Sequence, residues 1–178
     1  MKEEKLLILD ACPWKAGKSG PEVLNAGNLT TVSHELSVLL DAVSKNNRNR
    51  FFLFFDSITS LLLYHPAEGV VKFLQVLVER MRKACENGVP GIFTVETGVH
   101  DKATVSLVSF FMDGIFETRK LPTADDIIRQ FRVMALKSAR HETRWLPIKI
   151  DKSGFVFVEE SLNRGLAADV AREKYLGE

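Results

Sequence analysis

The residues best placed for chemistry follow two short apolar segments of the chain. Asp56 and Ser57 come directly after the apolar run Phe51–Phe55, and Glu96 follows the segment Gly91–Val95. In open α/β sheets, ligands bind at the carboxyl ends of the strands. A carboxylate at that edge can hold the water shell of Mg²⁺ beside nucleotide phosphates, because Mg²⁺ prefers oxygen ligands. Asp56 is therefore a candidate metal ligand, and Asp56, Ser57 and Glu96 are candidate cofactor-binding residues.

These positions also have purely structural interpretations. An aspartate after a buried strand can accept backbone N–H bonds from the next turn, and the pattern of Asp56 favours neither role over the other. For the segment around Glu96, the favoured interpretation is a strand end followed by a helix-capping Thr97. No Ser/His/Asp or Cys/His arrangement is evident in the sequence, so we assign no catalytic residue.

A nucleotide site at this edge also needs a loop that cradles phosphates. The P-loop pattern G-x-x-x-x-G-K-[ST] follows a strand and opens a helix. Gly17-Lys18-Ser19 follows the predicted strand Leu6–Asp10, but Cys12 occupies the position of the first glycine. A side chain there obstructs the turn that aims successive N–H groups at phosphate. Because Gly20-Pro21 also interrupts the following helix, we predict that Cys12–Ser19 is not a P-loop.

Positive charge is concentrated in the second half of the chain. The net charge is +1, yet residues 119–152 contain nine Lys/Arg and four Asp/Glu. Within this region Lys137 and Arg140 share one loop, and such a cluster can reach phosphate across a subunit interface as an arginine finger does. A solvated turn with local ion pairs is an equal alternative. For the excess over residues 119–152 as a whole, a solvated basic face is the favoured interpretation and a phosphate or partner surface is the alternative. Nucleic-acid binding is possible but not favoured.

Composition limits the class of protein. The chain has 178 residues, 46% of them hydrophobic and 26% charged, which predicts one globular domain spanning residues 1–178. No apolar run approaches the ~20 residues that cross a bilayer, so no membrane association is expected. Cys12 and Cys85 are the only cysteines, too few for a disulfide framework or a zinc site. A reducing cytoplasm is the expected location.

The order of elements predicts an α/β fold. Asn28 can cap a first helix, a second begins near Pro66, and the strands Phe51–Phe55 and Gly91–Val95 should be buried on both faces. Later segments predict a helix at Thr104–Phe111, four strands and a C-terminal helix over 162–175; the strands are Gly114–Thr118, Phe131–Leu136, Leu146–Ile150 and Phe155–Val158. We therefore expect an α/β fold with a mostly parallel sheet, helices on both faces and an antiparallel C-terminal extension.

Together these segments resemble the archaeal KaiC/RadA-like branch of the RecA superfamily. Phe51–Ser57 is similar to the Walker-B strand of that family, and Asn28-Leu29 is similar to the start of one of its helices. The other matching segments are Lys5–Asp10, Thr94–Glu96, Met112–Ile115, Leu136–His141 and Ser153–Val156. The resemblance implies ATP and Mg²⁺ as ligands. It also implies that Lys137 and Arg140 contact nucleotide from a neighbouring subunit.

The same resemblance implies a departure from the family. In these ATPases the P-loop and the catalytic glutamates precede the segment that matches Lys5–Asp10, and almost no chain precedes it here. We therefore expect an N-terminally abbreviated, non-catalytic protein that forms a homo-oligomer or regulates a related ATPase subunit. Two alternatives stay open: an active Mg²⁺-dependent ATPase with an irregular or partner-supplied phosphate loop, and a nucleic-acid-binding module that uses residues 119–152.

Overall fold

The computed structural model describes residue 9 and residues 27–45, 51–84, 88–123 and 126–158. The chain divides into two compact units, Met1–Phe111 and Met112–Glu178. Apart from Leu9, the predicted strand Leu6–Asp10 lies outside the described residues, as do the segment Cys12–Ser19 and the C-terminal helix predicted over 162–175. The single domain predicted over residues 1–178 stays a prediction, and the two units are described separately below.

The first unit alternates helices with two short strands. Its elements are α1 (Leu29–Lys45), β1 (Leu53–Phe55), α2 (Ile58–Tyr64), α3 (Ala67–Lys83), β2 (Gly91–Phe93) and α4 (Lys102–Phe110). The two strands pair in parallel, with Leu53 opposite Gly91 and Phe55 opposite Phe93. Helix α2 was not predicted, because an element of seven residues is too short to show a clear helical period.

The two long helices form as the apolar pattern predicts. Asn28 caps α1, since its Oδ1 accepts hydrogen bonds from the backbone N–H groups of Thr30 and Thr31 at 2.9 and 3.3 Å. Helix α1 packs against α3. Apolar side chains are buried on both helices: Val32, Leu36 and Leu40 on α1, and Val70, Leu74, Leu77, Val78 and Met81 on α3. This helix pair forms most of the buried core of the first unit.

Two glycines fix the passage from α3 into β2. Gly88 has a positive φ of 72°, a conformation that favours glycine, and the backbone N–H of Val89 donates to Met81 O at 2.8 Å. A Cβ atom on Gly91 would lie 2.6 Å from Met81 Cε and 3.1 Å from Leu53 O. Strand β2 therefore approaches β1 and α3 too closely for any side chain at Gly91 without movement of its neighbours.

The burial of β1 differs from the expectation. The Phe55 ring packs on Phe73 and Phe93, with centroid distances of 6.2 and 5.8 Å. On the opposite face, Phe54 and its register partner Ile92 are 59% and 46% exposed. The absence of apolar/polar alternation predicted burial on both faces, but within the described residues only the α3 face is covered.

The second unit is a four-stranded antiparallel sheet. Its strands are β3 (Gly114–Pro122), β4 (Ile127–Leu136), β5 (Leu146–Asp151) and β6 (Gly154–Phe157), in the order β3-β4-β5-β6. The last two strands form a hairpin, in which Asp151 pairs with Gly154. Gly154 has a φ of 99°. The Ser153 hydroxyl and backbone N–H both donate to Asp151 Oδ1, and these bonds lower the pKa of that carboxyl. The antiparallel extension is thereby confirmed.

We predict that Leu74→Ala destabilises the first unit by about 2–5 kcal/mol, because the side chain is fully buried and its removal leaves a cavity. Val76→Ala on the same helix is the matched control, since Val76 is 45% exposed, and it should cost about 0.5 kcal/mol or less. Urea unfolding followed by circular dichroism measures both. Equal losses for the two variants would contradict the assigned burial of the α3 face.

Candidate functional site

The carboxyl ends of β1 and β2 lie side by side. The backbone N–H of Thr94 donates to Phe55 O at 3.1 Å, and the backbone N–H of Ile58 donates to Thr94 O at 2.9 Å. These two bonds extend the parallel pairing beyond the strands and bring Asp56 beside Thr94. The sheet edge that the sequence predicts is therefore present at the carboxyl ends of β1 and β2, and Asp56 lies on it.

Asp56 is held by a neighbouring hydroxyl. The Thr94 Oγ1 atom donates to Asp56 Oδ1 at 2.5 Å, and the peptide bond between Asp56 and Ser57 is cis. The Asp56 side chain is otherwise exposed. One carboxylate oxygen is thus occupied by a protein donor, and within the described residues the other accepts no hydrogen bond.

Ser57 acts as a helix cap. Its Oγ accepts a hydrogen bond from the backbone N–H of Ser60 at 3.2 Å and lies 3.2 Å from Ser60 Oγ. The residue is only 9% exposed. A capping serine satisfies one of the first N–H groups of α2, which have no partner within the helix. The hydroxyl predicted to contact a cofactor is therefore already engaged by the start of α2.

Glu96 is tied to the same edge through its backbone. Its N–H donates to Thr59 Oγ1 at 2.8 Å, and Thr59 is only 3% exposed. The Glu96 side chain is exposed. Strand β2 ends at Phe93, so Glu96 lies in the turn region beyond it. Threonine hydroxyls thus hold two of the three predicted site residues, Thr94 bonding Asp56 and Thr59 bonding the Glu96 backbone, and the sequence did not single out Thr59.

The predicted cap at Thr97 is wrong. Helix α4 begins at Lys102, and its N-cap is Asp101, whose Oδ1 accepts from the backbone N–H of Thr104 at 2.9 Å. The Thr104 hydroxyl donates to Asp101 Oδ2 at 2.7 Å. Both bonds lower the pKa of the Asp101 carboxyl, and the bond from the Thr104 hydroxyl has the larger effect. Aspartate before the first helical turn is among the strongest caps, and this sequence signal was available at Asp101.

Lys137 and Arg140 belong to the second unit, in the loop after β4. The Lys137 backbone N–H donates to Asp113 O at 2.8 Å, and its Nζ lies 3.9 Å from Asp113 Oδ1. The Arg140 side chain is exposed. Nearby, Arg144 Nε pairs with Glu142 Oε2 at 2.6 Å. A turn with local ion pairs, one of the two interpretations of this cluster, is present in the structure.

The described residues do not make a complete Mg²⁺–nucleotide site. Asp56 has one oxygen bonded to Thr94, and Ser57 is committed to its helix cap. Across 27–45, 51–84, 88–123 and 126–158, no group of three His, Cys, Asp or Glu side chains could hold a metal ion. The edge can present the exposed carboxylates of Asp56 and Glu96, but phosphate-binding groups would have to come from elsewhere.

Comparison with known proteins identifies the fold. The model of the Family of unknown function (DUF7504) matches residues 14–118. No curated protein matches the chain. The crystal structure of a KaiC-like protein from the hyperthermophilic archaeon Pyrococcus horikoshii OT3 is similar, with a TM-score of 0.55 and 21% sequence identity. The match covers 74% of this chain and 55% of that protein, so this chain spans about half of its structural relative.

The structural likeness confirms the fold class. The chain contains a parallel sheet with packed helices and an antiparallel sheet, which match a KaiC/RecA-like α/β fold; the order of elements predicted the α/β class and the resemblance implied the RecA-like fold. None of the helices in the described part of the chain is long and apolar enough to span a membrane. At 21% identity, the likeness establishes the fold and leaves the activity to be argued from the site itself.

We predict that Thr59→Val destabilises the first unit by about 1–3 kcal/mol, because the backbone N–H of Glu96 loses its acceptor. Valine keeps the shape of threonine, so the change isolates the hydroxyl. Thr97→Val, at an exposed position one residue beyond Glu96, is the control and should be close to neutral. Thermal unfolding measures the Tm of each variant. A Tm equal to that of the wild type for both variants would contradict the assigned role of Thr59.

Proposed function

The chain belongs to the Family of unknown function (DUF7504), and we propose that it is a non-catalytic protein of KaiC/RecA-like fold that acts by assembly. It forms a homo-oligomer or joins a related ATPase subunit and regulates it. We place this activity in the cytoplasm, because two cysteines in 178 residues suit a reducing compartment.

The observation that carries the non-catalytic proposal is the engagement of the strand edge by its own neighbours. Thr94 donates to Asp56, Ser57 caps α2, and Thr59 accepts from the Glu96 backbone. Under this proposal the Walker-B-like strand has a structural role, because its polar end is held by contacts within the chain. The P-loop pattern that should accompany it is incomplete at Cys12, so the chain supplies the carboxylate without the phosphate cradle.

The open face of the β1–β2 sheet supports assembly. Phe52, Phe54 and Ile92 are 50%, 59% and 46% exposed, and Phe54 pairs with Ile92 in register. A parallel sheet normally has both faces covered. Contiguous apolar residues left open on such a sheet are typical of a surface that another subunit covers. We therefore assign this face, defined by Phe52, Phe54 and Ile92, as the assembly surface.

A second candidate function follows from the placement of Asp56. The carboxylate lies at the carboxyl end of a parallel strand, where nucleotides bind in open α/β sheets, and the Glu96 carboxylate follows the neighbouring strand. Under this alternative, ATP with Mg²⁺ binds at the edge, and an irregular loop or another subunit supplies the phosphate contacts. Lys137 and Arg140 are the candidates for such contacts from a neighbouring subunit.

Nucleotide binding separates the two candidates. We predict that the purified protein shows no ATP binding in the presence of Mg²⁺ by isothermal titration calorimetry, because the described edge lacks phosphate-binding groups. The Asp56→Asn variant, which keeps the acceptor for Thr94, serves as the comparison. Tight binding by the wild type that Asp56→Asn abolishes would establish the second candidate and overturn the first.

The assembly surface has its own test. We predict that Phe54→Thr shifts the protein to a smaller species in light scattering, or releases a co-purifying ATPase subunit, because the variant removes apolar contact area. Threonine retains a preference for strands. Leu107→Ala is the matched control, since Leu107 is 54% exposed on α4, and it should leave assembly unchanged. A wild-type monomer with no ATPase partner would contradict the assembly proposal.

A further inference from the structure

One face of the antiparallel sheet carries a cluster of phenylalanines. The Phe131 ring lies 5.8 Å from Phe116, 5.6 Å from Phe155 and 5.9 Å from Phe157, measured between ring centroids. Phe116, Phe155 and Phe157 are 54%, 49% and 51% exposed. The cluster is therefore ordered by ring contacts while about half of the surface of three of its rings is open. We call this the aromatic face.

Two cations lie on the same face. Lys120 and Arg129 are register partners on β3 and β4, and alternation along the strands places them on the side of Phe116 and Phe131. Like charges directly opposite each other destabilise a sheet. Both side chains are exposed, and neither makes an ion pair within the described residues. None of the strand residues on this face carries a carboxylate. The strand residues of the aromatic face therefore carry two positive charges and no negative charge.

The opposite face of the sheet is built differently. There Glu117 accepts from Arg132 at 2.6 Å, Arg119 donates to Gln130 at 2.7 Å, and Lys149 pairs with Asp151 at 3.3 Å. The guanidinium groups of Arg119 and Arg132 lie over the Trp145 ring, with their Cζ atoms 4.2 and 4.5 Å from its centroid. Each charged side chain of these pairs has a partner within the sheet. The contrast shows that charge compensation is confined to one side of the sheet.

We propose that the aromatic face binds single-stranded nucleic acid, with bases stacked on Phe116, Phe155 and Phe157 and phosphates beside Lys120 and Arg129. Exposed aromatic rings on an antiparallel sheet give every base a stacking surface, and nearby cations attract the backbone. Arg129 lies two residues from Phe131, a step of roughly 7 Å along a strand. The rings lie on strands rather than on a projecting loop, which favours a flat stacked ligand over insertion into a lipid surface.

This site is separate from the strand edge of the first unit and does not depend on ATP binding. It uses only two of the nine cations of residues 119–152, Lys120 and Arg129. With two phosphate contacts, the logarithm of the binding constant should fall with the logarithm of salt concentration with a slope of about −1.4. The binding is therefore weakly electrostatic and mainly stacking in character.

Fluorescence anisotropy with labelled oligothymidylate of about 15 nucleotides tests the proposal on the full chain, since single-strand sites span ~4–16 nucleotides. We expect Phe155→Leu to weaken binding roughly tenfold, because leucine is apolar but cannot stack as an aromatic ring does. Arg129→Gln should reduce the salt slope by about 0.7. Lys149→Gln, on the opposite face, is the control and should leave both quantities unchanged.

Far-UV circular dichroism confirms that each variant retains its fold, and Arg129→Gln at an exposed position tests the face even if Phe155→Leu unfolds it. Absence of binding at low salt would overturn the proposal. Binding that neither Phe155→Leu nor Arg129→Gln alters would also overturn it. Vesicles of phosphatidylserine and phosphatidylcholine are the second ligand. Binding to vesicles without binding to the oligonucleotide would assign the face to a membrane surface instead.

Discussion

The first unit depends on the parallel pairing of β1 with β2, which Gly91 makes sterically feasible. Each strand has only three residues, so the pairing is continued by bonds outside the strands. Leu53 N donates to Pro90 O at one end, and Thr94 N donates to Phe55 O at the other. Because the chain leaves β1 directly into α2, the position of Asp56 follows from this short ladder. Any shift in register would move the carboxylate away from Thr94.

Sequence patterns predicted the elements whose signals are local. The apolar period of α3 spans 17 residues, and the Asn28 cap and the Asp151–Gly154 turn each involve neighbours in the chain. The contacts of the candidate site are of another kind. Thr94 and Asp56 are 38 residues apart, and Glu96 and Thr59 are 37 apart. A hydroxyl that satisfies a distant group has no period or spacing in the sequence, so its role emerged only from the structure.

Burial was predicted less well than element type. The unbroken apolar run Phe51–Phe55 predicts a strand covered on both faces, yet Phe54 is 59% exposed. The same composition suits a strand with one face against a helix and the other against a second molecule, because both environments exclude water. In β6 of the second unit, exposed and less exposed positions alternate, and the exposed ones are Phe155 and Phe157. Hydrophobicity alone could not separate an internal core from a surface reserved for a ligand.

The contact of Trp145 with two guanidinium groups has a spectroscopic consequence. Trp14 and Trp145 are the only tryptophans, and Trp145 is the one within Met112–Glu178. Its indole is held over β3 and β4 by Arg119 and Arg132, so its emission reports the local environment of that sheet. In a Trp14→Phe background, tryptophan fluorescence would follow the second unit alone. The second unit can thus be monitored separately within one intact chain.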